Sequence, residues 1–249
     1  MPAPVLPCQS EFRALLLDIE GTITPIDFVT KTLFPYARRY IRSYVEAHGT
    51  LDTVRTDIEN LASQHRSDVF QHPGVPPWKD YSFDAGAIEA YIYWLMDRDS
   101  KAPALKSLQG KVWESGYGNG TLRSQIYDDA VSAIQTLKQK GRGIFLYSSG
   151  SVLAQKLLIA HSEHGDLSSC IDGYFDTATG PKIDPQSYQK IAAAVQKKPA
   201  AVLFISDVVS ELSAAKDAGM MTLLSLRPGN AAQKTNPYQS IHSFDMLLG

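Results

Sequence analysis

The sequence predicts an α/β fold: a parallel sheet with helices on both faces, and a block of helices inserted after the first strand. Three observations carry this. Short apolar runs at Leu15–Leu17, Ile144–Tyr147 and Ala201–Ile205 read as strands buried on both faces. From Ile126 onward such runs alternate with helical spacing, the rhythm of a parallel sheet with crossover helices. Between the first run and that alternation, from about Thr30 to Trp113, the spacing is helical only. The expected organisation is therefore a discontinuous core, residues 1–24 and 124–249, interrupted by an α-helical cap, residues 25–123.

In chain order, Met1–Pro7 reads as a loose arm without the charged and apolar blocks of a signal peptide. The first strand runs into Asp18-Ile19-Glu20-Gly21-Thr22, and Ile23–Phe28 has turn character. Leu33, Tyr36 and Tyr40, then Leu51, Val54, Ile58 and Leu61, recur at three and four residues. His72-Pro73-Gly74-Val75-Pro76-Pro77 breaks the helical pattern. Ile88, Tyr91, Ile92 and Leu95 resume it, and Gly116–Gly120 closes the block.

In the second half, Ala130, Ile134 and Leu137 stripe a helix that Gly141 can end. The strand Ile144–Tyr147 runs into Ser148-Ser149-Gly150-Ser151 and a helix from about Val152 to His161. Asp184-Pro185 is an N-cap followed by proline at the first helical position. Ala201–Ile205 ends in Ser206-Asp207, a helix spans Glu211–Ala218, and Met221–Leu226 is a further strand.

The bulk numbers bound the function. A chain of 249 residues buries roughly 70–75% of its unfolded surface and needs no metal or disulfide to fold. With 24 basic and 26 acidic residues and no block of like charge, no nucleic-acid surface is indicated. Cys8 and Cys170 have no disulfide or metal spacing and read as reduced thiols. No apolar stretch approaches the ~18–20 residues that span a bilayer. An intracellular chain, without membrane or nucleic-acid partner, is the expectation.

Ligands of open parallel sheets collect beyond the carboxyl ends of the strands. Three of the strands here end in polar residues, Asp18, Ser148 and Asp207. Two acids at the tip of a buried strand are costly unless something holds them, and a Mg²⁺ ion facing a phosphate would do so. The order of acid-x-acid-Gly-Thr, strand-end Ser, lone Lys and strand-end Asp resembles the haloacid-dehalogenase-like phosphatases, with their Rossmannoid sheet and inserted cap. The resemblance implies Asp18 as nucleophile and metal ligand, Glu20 as metal ligand through its carbonyl, and Asp207 as a further ligand, for one Mg²⁺ per subunit. It implies that Ser148 and the backbone around Ser149 bind the phosphoryl group. Lys182, or alternatively Lys190, balances the charge. Glu211, four residues after Asp207, is expected no closer than behind the ligands.

In most such phosphatases the second acid of the first motif is Asp, whereas here it is Glu20. With Pro25-Ile26-x-Phe28-Val29, Leu33-Phe34-Pro35-Tyr36, Tyr147–Val152, Gln155–Leu158 and Arg227-Pro228-Gly229-Asn230, the chain resembles the enolase-phosphatase (acireductone synthase) family of methionine salvage. That implies enolisation and dephosphorylation of 2,3-diketo-5-methylthiopentyl 1-phosphate by a cytoplasmic, also nuclear, monomer. Glu20 would handle protons in both steps. Phe28, ahead of Trp78, Trp94 and Trp113, is the aromatic placed to meet the methylthio tail. Two alternatives stand beside this reading, a phosphatase of another small metabolite and a non-catalytic protein that keeps the fold.

Overall fold

The computed structural model describes residues 12–231 and 237–248; Cys8 and the arm Met1–Pro7 lie outside them. The strands are β1 (Ala14–Leu17), β2 (Gly143–Tyr147), β3 (Gly173–Phe175), β4 (Val202–Ser206), β5 (Met221–Ser225) and β6 (Ser240–Ile241). The helices are α1 (Ile26–Phe28), α2 (Phe34–His48), α3 (Asp52–Gln71), α4 (Ala85–Met96), α5 (Pro103–Gly118), α6 (Asp128–Gln139), α7 (Val152–Ala160), α8 (Pro185–Ala194) and α9 (Val209–Asp217).

The chain forms two compact units, Met1–Thr30 with Arg123–Gly249, and Lys31–Leu122. The first division falls at 30/31 rather than the expected 24/25. The residues read as a turn form α1, whose Phe28 is 2% exposed and stays with the sheet-bearing unit. A π-helical stretch, Val29–Leu33, then leads into α2.

In the first unit the six strands are all parallel, in the order β3-β2-β1-β4-β5-β6. Every residue of β1 and β4 is buried, which is why their sequences are unbroken apolar runs. The register sets the site. Leu17 lies opposite Leu146 of β2 on one side and Ile205 of β4 on the other. Asp18, Ser148 and Asp207 therefore leave neighbouring strands at one edge. Because the strand order reverses between β1 and β4, that edge is a topological switch point, where a crevice opens. One face is packed by Tyr147, Tyr188 and Phe204, with ring centroids 5.5 and 5.1 Å apart in sequence. Edge-on aromatic pairs of this kind add about 0.5–1.5 kcal/mol beyond burial. The short edge strands β3 and β6 carry too few apolar residues to stand out in the sequence.

The second unit, α2–α5, has its own core of Ile41, Val45, Val54, Leu61, Trp78, Tyr91, Leu105 and Leu108. Helix α3 also buries polar groups that blur its periodicity. Asp57 pairs with Lys111 and accepts from Ser107 at 2.8 Å, and Asp68 accepts from Tyr91 at 2.6 Å. His65 sits between the Pro76 carbonyl, at 2.8 Å, and the Tyr81 hydroxyl. Leu51, expected in the stripe, is instead exposed just before α3, and α5 runs on through Gly116 to Gly118. Trp78 and Trp113 are buried and donate to the carbonyls of Ser82 (3.0 Å) and Leu33 (2.9 Å), so both serve the packing of this unit.

Candidate active site

The loop after β1 is wound tightly. The amides of Thr22, Ile23 and Thr24 converge on the Ile19 carbonyl, and Gly21 N–H donates to Thr24 O at 2.8 Å. Gly21 has φ +71°, and a Cβ there would lie 2.5 Å from Asp207 Oδ2. Glycine thus serves twice: it takes the left-handed turn and lets the Asp207 carboxylate approach the Gly21 Cα. Gly21→Ala is expected to cost about 1–3 kcal/mol by chemical denaturation, from backbone strain and the clash together; a loss under about 0.5 kcal/mol would contradict this.

Asp18 is 5% exposed. Its Oδ2 accepts from Thr22 Oγ1 at 3.1 Å, and its Oδ1 lies 2.5 Å from Lys182 Nζ. The lysine is delivered by a rigid turn in which each of three successive carbonyls accepts from a hydroxyl. Tyr147 holds Gly180 at 2.9 Å, Ser187 holds Pro181 at 2.8 Å and Tyr188 holds Lys182 at 2.7 Å. Asp184 caps α8 behind the turn, accepting from Gln186 N–H. The alternative, Lys190, is exposed and its Nζ donates to the Thr179 carbonyl, at 3.3 Å. Lys182 also pairs with Glu211 Oε2 at 2.7 Å, and Ser206 Oγ donates to the same oxygen at 2.9 Å. Glu211, expected behind the ligands, therefore shares the lysine with Asp18. The sequence offered only its place four residues after Asp207, at the start of α9, and no sign of the lysine.

Ser148, at the end of β2, is buried, and its Oγ accepts from Gly150 N–H at 3.0 Å. Gln155 fixes this loop, donating to the carbonyls of Gly150 (3.0 Å) and Phe175 (2.7 Å). Ser151 caps α7, and Asp176 accepts from Val152 N–H at 3.3 Å. Of the amides expected to form an anion nest around Ser149, that of Gly150 is thus turned to Ser148. Ser149 is half-buried, the Glu20 side chain is exposed, and Phe28 is buried. The structure brings together Asp18, Lys182 and Glu211 directly, with Asp207 against Gly21.

A profile of the haloacid dehalogenase-like hydrolases matches residues 12–219. The chain is 47% identical to Enolase-phosphatase E1 of Synechococcus elongatus over 99% of its own length and 100% of that protein's. It is 38% identical to Enolase-phosphatase E1 of Danio rerio, over 94% of each. The crystal structure of UTR4 protein from Saccharomyces cerevisiae superposes with a TM-score of 0.75 at 36% identity, covering 94% of this chain and 99% of that one. The chain belongs to the enolase-phosphatase E1 family, within the haloacid dehalogenase-like hydrolases.

As an enolase-phosphatase it is an enzyme of the phosphatase class, and its site has a charge imbalance. Three carboxylates, Asp18, Asp207 and Glu211, gather around one lysine. Burial, with the charges of Asp18 and Glu211, pushes Asp207 up to about 7. Burial and Asp18 likewise raise Glu211, against the pull of Lys182 and Ser206. For Lys182 burial opposes the charge, but Asp18 and Glu211 outweigh it, so its pKa is raised and it stays a cation. A pocket that resists its own second and third negative charges suits a divalent cation, which would relieve them. Among the described residues no three His, Cys, Asp or Glu side chains form a ready cage. Mg²⁺ does not need one, since it takes one or two carboxylates and keeps several waters.

Proposed function

We propose that the chain converts 2,3-diketo-5-methylthiopentyl 1-phosphate to the acireductone and inorganic phosphate in methionine salvage, with Mg²⁺ bound at the strand-end site. The observation that carries this reading is the pairing of Asp18, held between Thr22 and Lys182, with Glu20 where other phosphatases of the superfamily have Asp. Asp18, Asp207 and the Glu20 carbonyl would hold the cation. When bound, Mg²⁺ supplies positive charge that lets an anionic nucleophile approach an anionic phosphate.

The chain's own residues do the rest. Asp18 attacks phosphorus, forming an aspartyl-phosphate as the bond to the ester oxygen breaks. Glu20 gives that oxygen its proton, and water then splits the acyl phosphate. Ser148 and Ser149 hold the phosphoryl oxygens, and Lys182 offsets the charge shared by Asp18 and the transferring group. Before this, Glu20 takes the C1 proton of the diketone, its extra methylene letting one carboxyl serve both carbon and oxygen. Phe28 is the first aromatic residue after the loop and is assigned to the methylthio end. The same reading carries a cytoplasmic monomer with one Mg²⁺ per subunit; no helix among the described residues is long and apolar enough to cross a membrane.

Glu20→Gln tests the double role. It spares the backbone carbonyl, so Mg²⁺ affinity is expected to stay near wild type. Enolisation and phosphate release are both expected to fall, by about 10²–10⁴-fold. Full enolisation with lost phosphate release would show that Glu20 serves only the second step.

A further inference from the structure

The residues following Leu224 are tied to the catalytic loop, and among the described residues two buried polar atoms there meet no partner, the donor Arg227 Nη2 and the acceptor Asn230 Oδ1. Ser225 Oγ donates to the Gly21 carbonyl at 3.3 Å, and Arg227 Nε donates to that of Thr22 at 3.2 Å. Arg227 is itself fixed by Asp129 at 2.8 Å and the His242 carbonyl at 3.0 Å. Asn230 Nδ2 donates to the carbonyls of Gly21 (2.9 Å) and Ser225 (3.3 Å).

Both acceptors of Asn230 are carbonyl oxygens, so its amide cannot be turned round without setting oxygen against oxygen. Its Oδ1 must therefore face away from them. There it is buried and, among the described residues, meets no donor. An unmet buried acceptor costs about 1–3 kcal/mol, so its retention calls for a reason. The place supplies one. A Cβ on Gly21 would lie 2.9 Å from Asn230 Oδ1 and 2.5 Å from Asp207 Oδ2. The leftover oxygen and the proposed ligand thus both lie close to one point, beside the Gly21 Cα.

We propose that Asn230 is a positioning residue for the cation site: its Oδ1 accepts a hydrogen bond from a water carried by the divalent cation, while its amide clamps Gly21. Mg²⁺ keeps several waters, each with hydrogens that need acceptors, and an oxygen with no other donor is matched to that task. The inference rests on the Mg²⁺ reading above, and it extends the site to a residue in the stretch after β5.

The test is Mg²⁺ affinity of the full chain by titration calorimetry, for wild type, Asn230→Ala and Ser225→Ala, with the metal-free melting temperature measured for each. Asn230→Ala is expected to bind Mg²⁺ about tenfold more weakly, the usual scale for partners behind a ligand shell. Ser225→Ala loosens the same carbonyl but leaves the orphan oxygen in place, and is expected to stay within about twofold of wild type. Asn230→Ala within about twofold of wild type would overturn the inference. Equal weakening in both variants would also overturn it, assigning the effect to a slack loop. If the Ala variant does not fold, Asn230→Asp is used, which keeps the acceptor and loses the donor. It should melt lower yet hold Mg²⁺ within about threefold of wild type, and a tenfold loss would count against the inference. A wild-type chain that takes up no Mg²⁺ would instead remove the cation reading itself, and the role of Asn230 with it.

Discussion

Asp18→Asn is expected to abolish phosphate release, with a loss in kcat on the order of 10⁴–10⁶-fold, while leaving the fold intact. An amide is too poor a nucleophile to attack phosphorus, so no aspartyl-phosphate forms. The amide oxygen can still accept from Thr22 or Lys182, the two donors that orient Asp18 at 3.1 and 2.5 Å. Circular dichroism and melting should therefore match wild type closely, which separates a chemical loss from a folding loss. Mass spectrometry of quenched turnover adds a direct check, since the phosphoryl adduct should be present in wild type and absent in the variant. Residual activity above about one per cent, in protein free of wild-type contamination, would remove Asp18 from the role of nucleophile.

Lys182→Met is expected to have the second largest effect, and on stability as well as rate. Methionine fills the channel of the lysine stem but removes the charge shared by Asp18 and Glu211, whose side chains are only 6% and 12% exposed. Leaving buried carboxylates without their counter-charge costs about 3–5 kcal/mol, and losing a charge aimed at the transition state costs roughly 10²–10³ in kcat. A bound cation would take over part of the missing charge. The drop in melting temperature should therefore be larger in EDTA than in excess Mg²⁺. A metal-free loss below about 1 kcal/mol would mean that the lysine does not balance these acids.

Much of the core was legible because its physics is local. β1 and β4 are buried on both faces, so each appears as an apolar run that ends abruptly in acid. Asp184-Pro185 announced α8 because capping chemistry needs only two adjacent residues. What was hidden depends on neighbours distant in sequence. β6 has two residues, and no pattern reveals an edge strand that short. Glu211 looked peripheral because nothing in the sequence says that Lys182, 29 positions earlier, swings onto it at 2.7 Å. The carbonyl ladder at Gly180–Lys182 is equally invisible, because its three donors, Tyr147, Ser187 and Tyr188, read as core or helix residues. Pro181 supplies the carbonyl that is the middle rung. Asn230 belonged to a motif without a task until its two carbonyl acceptors fixed which way its oxygen points.

The most direct measurement gives wild-type protein the diketone phosphate and follows the acireductone by absorbance while counting released phosphate, in Mg²⁺ and in EDTA. One phosphate per acireductone, with release lost in EDTA and restored by added Mg²⁺, is the expected result. Phosphate release from a panel of sugar phosphates with none from the diketone, or turnover unaffected by EDTA, would contradict it.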